Sequence, residues 1–428
     1  MNCKKGNNLD MMGKFSSYNK YLSDYDVFQR HLGLNQSSWM SNTRQNGLNS
    51  FEKLGFPTDT RGNERWKFTN VSPIAKTQFK HLIASEQPQI KIPKIKSFAP
   101  WDDNWTQLVF INGIWSENFS NMTHYNPKNI YAKPLSNPQL DSAGLAKDHL
   151  GQYASADHDG FTAINTAFLQ DGALVHVPES RAPDSALHLL FITTEYAQPI
   201  VTYPRTLIIA EQHSKLTVLE SYVGLSSNSY FTNAVSEIVV KHGAKINHYR
   251  YLSESPNAFH IGTTRIHQEQ DSTFNSVTFA SGAKISRNDM RVLLNAPGSS
   301  CQIDGLYTPS GTKHIDNHIE IDHAQPNTSS NQYFKGIIKD NSRAVFSGKV
   351  LVRKNAQKAY ARQADKNLIL SKGARINTIP SLEIFADDVE CFHGATAGAA
   401  TQDTLFYMKS RGLDEEKSKQ ILIRGFAS

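Results

Sequence analysis

Cys391 and His393 are the residues whose chemistry is easiest to name, because they lie two positions apart in a short extended run. The run follows a turn at Asp387 and Asp388. Side chains alternate along a strand, so the thiol and the imidazole share one face and Phe392 lies on the other. A thiolate and a neutral imidazole can bind a thiophilic metal. A packed thiol beside a structural histidine explains the same residues, and both interpretations stay open on chemistry alone.

A second polar row occurs earlier in the chain. Alternation places Asp316, His318, Glu320 and Asp322 on one face of a strand, whereas His323 falls with the apolar set. Imidazole and carboxylate groups together can hold iron or another divalent metal. A charged row on one strand face is more often simply solvated, and we expect that here. We expect His323 to meet a partner or a turn.

Short alternating runs occupy the middle of the chain, from about residue 108 to 392, and one unit recurs among them. Gly-Ala-Lys/Arg-Ile stands at 243–246, 282–285 and 373–376. Weaker copies begin at Asp271, Gly298 and Asn341. Most neighbouring copies lie about 30 residues apart, which is a solenoid-like period. The pattern predicts stacked β coils that bury their apolar rows against each other, and a β-sandwich is the alternative.

The two ends of the chain are predicted to be helical. One N-terminal helix surrounds Phe28, and a second begins near Ser38 and ends at Leu54, because Gly55 follows. The predicted regions are an N-terminal helical region (1–95), a β-helix core (96–394) and a C-terminal helical region (395–428). We expect Trp66 and Phe68 to pack the first region onto the core.

Composition sets limits on the class of protein. The chain has 428 residues, 39% hydrophobic and 20% charged residues, and a formal net charge of +6. No run of Lys or Arg accompanies that charge, so nucleic-acid binding is not predicted. Three cysteines at positions 3, 301 and 391 are too few for a disulfide framework, and a reducing compartment is expected. We read Cys301 as a core residue. Neither a signal peptide nor a membrane span is predicted, which favours the cytoplasm.

Common catalytic motifs are absent from the sequence. It contains no GxxxxGK[ST] phosphate loop, no GxGxxG, no GxSxG and no HExxH. We therefore expect no ATP site on this chain and no enzymatic activity. A carbohydrate-acting enzyme is the alternative function, because β-helices often carry such chemistry. That alternative needs a convergent set of carboxylates and usually a secretion signal.

Two long C-terminal segments resemble a known family. ADDVECFHGATAG at 386–398, followed by LFYMKSRG at 405–412, resembles the C-terminal signature of the SufB/SufD family of iron–sulfur cluster assembly proteins. ERWKFT at 64–69 follows a Gly-hydrophobic-Pro turn and resembles the SufD side of that family. The resemblance covers nearly all of the chain beyond Phe51.

The resemblance implies a fold and a function. The fold is mainly β, with a right-handed parallel β-helix core between helical ends. The implied function is a scaffold subunit that forms a heterodimer with a SufB-like paralogue and binds the ABC-type ATPase SufC. In isolation the chain could form a homodimer. No nucleic acid and no membrane is implied as a partner.

The resemblance also assigns roles to residues. His393 is implied as a ligand of a transient iron–sulfur cluster shared with the paralogue, and Cys391 ranks second as a sulfur relay or a packed thiol. Reduced flavin is implied only at the level of the complex, with no residue assigned. The implied ATPase-docking residues are Leu405, Phe406, Tyr407, Arg411 and Gly412.

Overall fold

The structure is a computed structural model that describes residues 20–32, 37–59, 63–83, 95–137, 144–399 and 402–427. Its helices are α1 (20–32), α2 (Ser38–Leu54), α3 (Ser72–Lys76), α4 (Leu145–His149), α5 (Gly160–Ala167), α6 (Gln402–Ser410) and α7 (Glu415–Ala427). Among the residues described, no helix is both long enough and apolar enough to cross a membrane.

All the described strands belong to two large sheets, whose long strands alternate along the chain. Sheet A contains β1 (Lys80–His81), β4 (Tyr131–Pro134), β5 (Gly172–Val177), β7 (Ile200–Thr202), β8 (Arg205–Ala210), β10 (Tyr230–Val240), β12 (Phe259–Gln268), β14 (Ile285–Leu294), β16 (His314–His323), β18 (Arg343–Val352) and β20 (Arg375–Ile384). Sheet B contains β2 (Thr106–Ile111), β3 (Ile114–Trp115), β6 (Leu187–Thr193), β9 (Lys215–Gly224), β11 (Lys245–Ser253), β13 (Thr273–Ala280), β15 (Ser300–Tyr307), β17 (Ser329–Ile338), β19 (Tyr360–Ile369) and β21 (Glu390–Ala399).

This alternation makes a parallel β-solenoid of about eight coils. Each long strand between the two ends of the solenoid pairs in parallel with the strand one coil earlier and the strand one coil later. The predicted β-helix is therefore confirmed, and the β-sandwich alternative is wrong. The handedness of the coil stays a prediction.

The corner from sheet A into sheet B repeats one backbone feature. Each corner before β9, β11, β13, β15, β17 and β19 contains a residue with positive φ: His213, Gly243, Asp271, Gly298, Asn327 and Lys358. Such a left-handed residue reverses the chain in little space, and glycine adopts it without strain. The recurring Gly-Ala-Lys/Arg-Ile unit occurs at both kinds of corner, since it begins β11 in sheet B but β14 and β20 in sheet A. The unit therefore marks a corner and has no fixed position within the coil.

Helices α1, α2 and α5 cover the outer face of sheet A. Phe28, Phe51 and Phe161 lie in one buried cluster with residues of β10 and β12. Gly47 lies inside α2 because a methyl group there would stand 2.6 Å from the backbone nitrogen of Ala167. The small residue thus permits close contact between α2 and α5.

The ERWKFT segment fixes the N-terminal region to sheet A. Trp66 is 6% exposed, and the Arg287 guanidinium lies 4.1 Å from its ring centroid. Arg65 donates to Asp289 at 2.6 Å. The packing expected of Trp66 is confirmed, whereas Phe68 is 39% exposed and the expectation for it is wrong. The buried Arg287 guanidinium therefore stacks on the aromatic face of Trp66 in a cation–π contact.

A buried ion pair holds the loop before α5 against the same sheet. The Arg205 and Glu237 side chains are 1% and 0% exposed, and Arg205 Nη2 donates to Glu237 Oε1 at 2.6 Å. Glu237 also accepts from the backbone N–H groups of Gly151, Tyr153 and Ala154 at 2.8 to 3.1 Å. One carboxylate therefore satisfies four donor groups that are removed from water.

We expect Glu237→Ala to lower the free energy of unfolding by about 3–5 kcal/mol, because it leaves a buried guanidinium without its counter-charge. Chemical denaturation followed by circular dichroism measures the change. Glu64→Ala is the control, because it breaks the exposed ion pair with Lys67 and should change little. Equal effects of the two substitutions would contradict the assigned importance of the buried pair.

Candidate functional site

The coil ends at an uncovered edge. β20 and β21 are the last strands of their sheets, so within the described residues each has one backbone edge without a strand partner. Five large apolar side chains at this end are exposed, and we call them the end patch: Tyr360, Ile379, Ile384, Phe385 and Phe392. Unpaired strand edges beside apolar side chains are typical of a surface that another chain covers.

The register of β21 on β19 fixes the faces of the candidate ligands. Cys391 pairs with Ala361, and His393 pairs with Gln363. Both partners are buried and face the interior of the coil. Cys391 and His393 therefore share the inner face at the open end, as the alternation predicted, while Phe392 lies on the outer face and is 55% exposed.

The two candidate ligands differ in exposure and in chemistry. His393 is exposed, whereas Cys391 is half-buried. Burial raises the pKa of the Cys391 thiol above its ordinary value, so the thiolate that would bind iron is less populated at neutral pH. His393 is therefore the more accessible of the two side chains, and its ranking above Cys391 as a ligand stays a prediction.

Two amides lie below His393 in the same row of the coil. Gln363 pairs with His393 in β21 and with Gln332 in β17. The Gln363 Nε2 group donates to Gln332 Oε1 at 3.0 Å, and the Gln363 Oε1 atom has no hydrogen-bond partner. The sequence reasoning missed Gln363. The signal was available, because one solenoid period of about 30 residues before His393 leads to it.

A complete metal site is not formed by the described part of the chain. Those residues contain no group of three or more His, Cys, Asp or Glu side chains that could hold a metal ion. Asp387 and Asp388 lie in the turn between β20 and β21, as predicted. His393 can therefore supply one ligand, and a cluster bound there needs others from outside the described residues.

The carboxylate row of β16 is not solvated, so that expectation is wrong. Asp316 is 2% exposed and accepts hydrogen bonds from Arg287 and from Thr69 Oγ1. Asp322 is 0% exposed and accepts from Arg353 and Arg291 at 2.8 and 3.0 Å. These carboxylates form ion pairs with arginines, so the row is part of an ion-pair network.

Burial also favours the neutral form of two histidines of β16, His318 and His323. Burial lowers the pKa of His318 to about 4. His323 faces the interior with the apolar set, as predicted, and contacts the hydroxyl groups of Thr328 and Ser330 at 2.8 Å each. Burial lowers its pKa to about 4 as well. Glu320 lies 3.5 Å from Arg291.

The other two cysteines are Cys301 and Cys3. Cys301 is 5% exposed and belongs to the apolar cluster inside the coil, which confirms the core assignment. It lies on the same inward row as Cys391, separated by Ser330 and Ala361. Cys3 lies outside the described residues.

The C-terminal helices α6 and α7 form a hairpin that presents two exposed aromatic rings. Phe406 is 73% exposed and Tyr407 is 59% exposed. The Arg411 guanidinium lies 5.4 Å from the Tyr407 ring centroid, and Gly412 makes the turn with φ of 86°. The backbone of Leu405 is helical, and its side chain lies outside the described part of the structure.

Asp414 begins α7. Its Oδ1 atom accepts from the backbone N–H of Lys417 at 2.7 Å. The backbone and side-chain hydrogen bonds from Lys417 lower the Asp414 pKa. This N-cap fixes the start of α7 and with it the direction of the hairpin.

Comparisons with known proteins decide the family. The family described as "SUF system FeS cluster assembly, SufBD core domain" matches residues 191–426, and the SufBD protein N-terminal region matches residues 15–189. The chain belongs to the SufBD family. The two family segments meet between residues 189 and 191, and the boundary predicted near residue 95 stays a prediction.

Individual SufBD relatives agree with this. A SufBD family protein of Synechocystis is 34% identical over 400 residues, covering 92% of this chain and 87% of the relative. The iron–sulfur cluster assembly protein SufD of Escherichia coli is 28% identical over 401 residues, covering 93% and 90%. The SufB protein of Bacillus subtilis is 23% identical over 433 residues, covering 96% and 91%.

SufBD membership confirms the family predicted from the two C-terminal segments, and identity is higher with the SufD protein than with the SufB protein. It also confirms the predicted role in SUF iron–sulfur cluster assembly. The carbohydrate-acting alternative finds no support in these relatives.

The two described thiols should differ sharply in reactivity. In a Cys3→Ser background, we expect iodoacetamide to alkylate Cys391 and to leave Cys301 intact until the protein unfolds. Because burial raises the Cys391 pKa, its alkylation rate should still be rising with pH at the pH where an ordinary thiol is already fully ionised. Peptide mass spectrometry measures both rates, and rapid labelling of Cys301 in the folded chain would contradict the structure.

Proposed function

We propose that this SufBD protein is a non-catalytic scaffold subunit that presents His393 to a nascent iron–sulfur cluster at an interface with a SufB-like paralogue. The observation that carries the proposal is the position of His393. It is exposed, it lies on the inner face of the last strand, and that strand has a free backbone edge within the described residues.

Ligand number supports a shared cluster. Protein-bound iron–sulfur clusters take about four protein ligands, and imidazole can replace thiolate at iron. At this end the chain offers one exposed imidazole and one half-buried thiol with a raised pKa. The remaining ligands therefore come from the partner, and the cluster lies between the two subunits.

The end patch supports a paralogue as that partner. A SufB-like chain of the same family is expected to end its own coil in the same way, and two such edges can extend each other's sheets. Phe385 and Phe392, which are 63% and 55% exposed, would then be covered. When the chain is isolated from the paralogue, a homodimer would form through the same contact with a second copy of the chain.

The helical hairpin supports the ATPase as the second partner. Phe406 and Tyr407 are exposed on α6, and exposed aromatic residues are enriched in protein interfaces. The sequence has no phosphate loop of its own, so ATP-driven movement must come from a separate subunit such as SufC. Movement of the ATPase would reshape the paralogue interface through the hairpin that follows β21.

Two further parts of the proposal concern the environment. The described cysteines Cys301 and Cys391 are free thiols, which suits a reducing cytoplasm. Reduced flavin acts, in this proposal, at the level of the assembled complex, and none of the residues described here is assigned to it.

We expect His393→Ala to leave the complex with the paralogue and the ATPase assembled but to slow cluster formation by at least about tenfold. Anaerobic iron and sulfide determination on the purified complex measures the effect. His124→Ala, at an exposed histidine outside the end patch, is the control and should behave as the native chain. Clusters formed at the native rate would show that His393 is not a required ligand, and a complex that falls apart would favour a bracing role.

Substitutions should disrupt the two proposed interfaces independently of each other. We expect Phe406→Ser with Tyr407→Ser to abolish capture of the ATPase and to leave capture of the paralogue intact. Phe385→Ser with Phe392→Ser should do the reverse, because these rings lie in the end patch. Co-purification of the co-expressed subunits measures both contacts. Loss of both partners in either variant would mean that the two surfaces are not independent.

A further inference from the structure

Gln363 lies where it can orient His393. The two residues are Cα partners on neighbouring parallel strands, about 4.8 Å apart in the hydrogen-bonding direction. In-register side chains on parallel strands point to the same face, so the amide lies directly below the imidazole in the row. Gln363 is 2% exposed.

One end of the Gln363 amide is already fixed. Its Nε2 group donates to Gln332 Oε1 at 3.0 Å, which leaves Oε1 on the opposite side of the amide without a partner. A buried carbonyl oxygen without a partner costs free energy, so such an atom is normally satisfied. The row neighbours of Gln363 are Gln332 and His393. The Gln332 Oε1 atom accepts from the Gln363 amide nitrogen, and the Gln332 Nε2 atom has no partner either. With the Gln363 amide nitrogen turned toward Gln332, His393 is the row neighbour on the side of the Gln363 Oε1 atom.

The opposite wall of the coil makes room for this amide. Gly348 of β18 faces it across the interior, and a methyl group at Gly348 would overlap the Gln363 amide nitrogen. Glycine here is explained by close approach, because its backbone has no positive φ. The amide is therefore confined between Gln332, Gly348 and the coil end.

We propose that Gln363 is a positioning residue: its Oε1 atom accepts a hydrogen bond from one ring nitrogen of His393 and leaves the other nitrogen unprotonated and directed out of the coil. A histidine that binds a metal usually donates its second ring N–H to an oxygen acceptor, which fixes the tautomer and the ring orientation. The function of this hydrogen bond in orienting a ligand rests on the proposed ligand role of His393. The existence of the hydrogen bond does not depend on that role.

The test reads the tautomer of His393 in the isolated full chain, without iron. Histidine ¹⁵N shifts recorded near pH 8.5, where an ordinary imidazole is neutral, report which nitrogen carries the proton. The chain has 16 histidines, and His393→Ala identifies the signal. We expect the native tautomer ratio to differ from that of an unstructured peptide by about tenfold, the effect of one ordinary hydrogen bond.

Four variants separate positioning from mere packing. Gln363→Met removes the acceptor at nearly constant volume and should return the ratio to the peptide value. Gly348→Ala displaces the unchanged amide and should do the same. Gln363→Glu keeps an oxygen acceptor and should retain the native preference. Gln332→Met removes only the lower hydrogen bond, so it should change stability more than the tautomer ratio.

A native ratio equal to the peptide value, or a ratio that Gln363→Met leaves unchanged, would overturn the proposal. In the assembled complex, Gln363→Met should weaken iron retention by about tenfold or more. If the tautomer is selected as expected but His393→Ala forms clusters at the native rate, the ligand role fails while the positioning contact stands. The two failures are therefore distinguishable.

Discussion

Parallel strands stacked in register require every inward side chain to fit between the residues one coil before and one coil after it. At two positions of sheet B a large residue is stacked on a glycine. The Phe334 ring fills the space that a side chain on Gly305 would need, and the Tyr307 ring does the same at Gly336. Stacking of this kind does not terminate by itself, because each coil leaves strand edges on which a further coil can pair. At β21 the described coils stop with that surface uncovered, so the arrangement that gives the fold its core also creates the interface.

Buried ion pairs attach the N-terminal region to this repetitive core. Arg65 contacts Asp289, and Arg287 bridges Asp289 and Asp316 while its guanidinium stacks on Trp66. Such pairs add little net stability compared with apolar packing, but removing one partner is costly. They therefore specify where the helices lie on sheet A. The carboxylates Asp316 and Asp322 of β16 are likewise paired with arginines, namely Arg287, Arg291 and Arg353.

Sequence patterns predicted the coil, its corners, the helical ends and the face shared by Cys391 and His393, because these depend on local alternation and on a period of about 30 residues. They did not predict which polar residues are buried. The sequence predicts a solvated Asp316, because the residues that bind it are distant in the chain. Arg287 and Thr69 lie 29 and 247 positions away. Gln363 was missed because the period of about 30 residues places it near His393 only approximately. The strand register makes the pairing exact.

The last strand, β21, consists mainly of small residues after His393. After His393 it continues Gly-Ala-Thr-Ala-Gly-Ala, and no atom of the described residues lies within 4 Å of a methyl group placed on Gly394 or Gly398. Small side chains let another backbone approach closely, yet they hold its alignment weakly. A slip of two residues would carry His393 about 6.6 Å along the edge, which is far beyond bonding reach of the same iron if His393 binds a cluster as proposed. The fidelity of cluster assembly would then be set at the two ends of the strand, by residues such as Phe392 and the helical hairpin, none of which needs to touch iron.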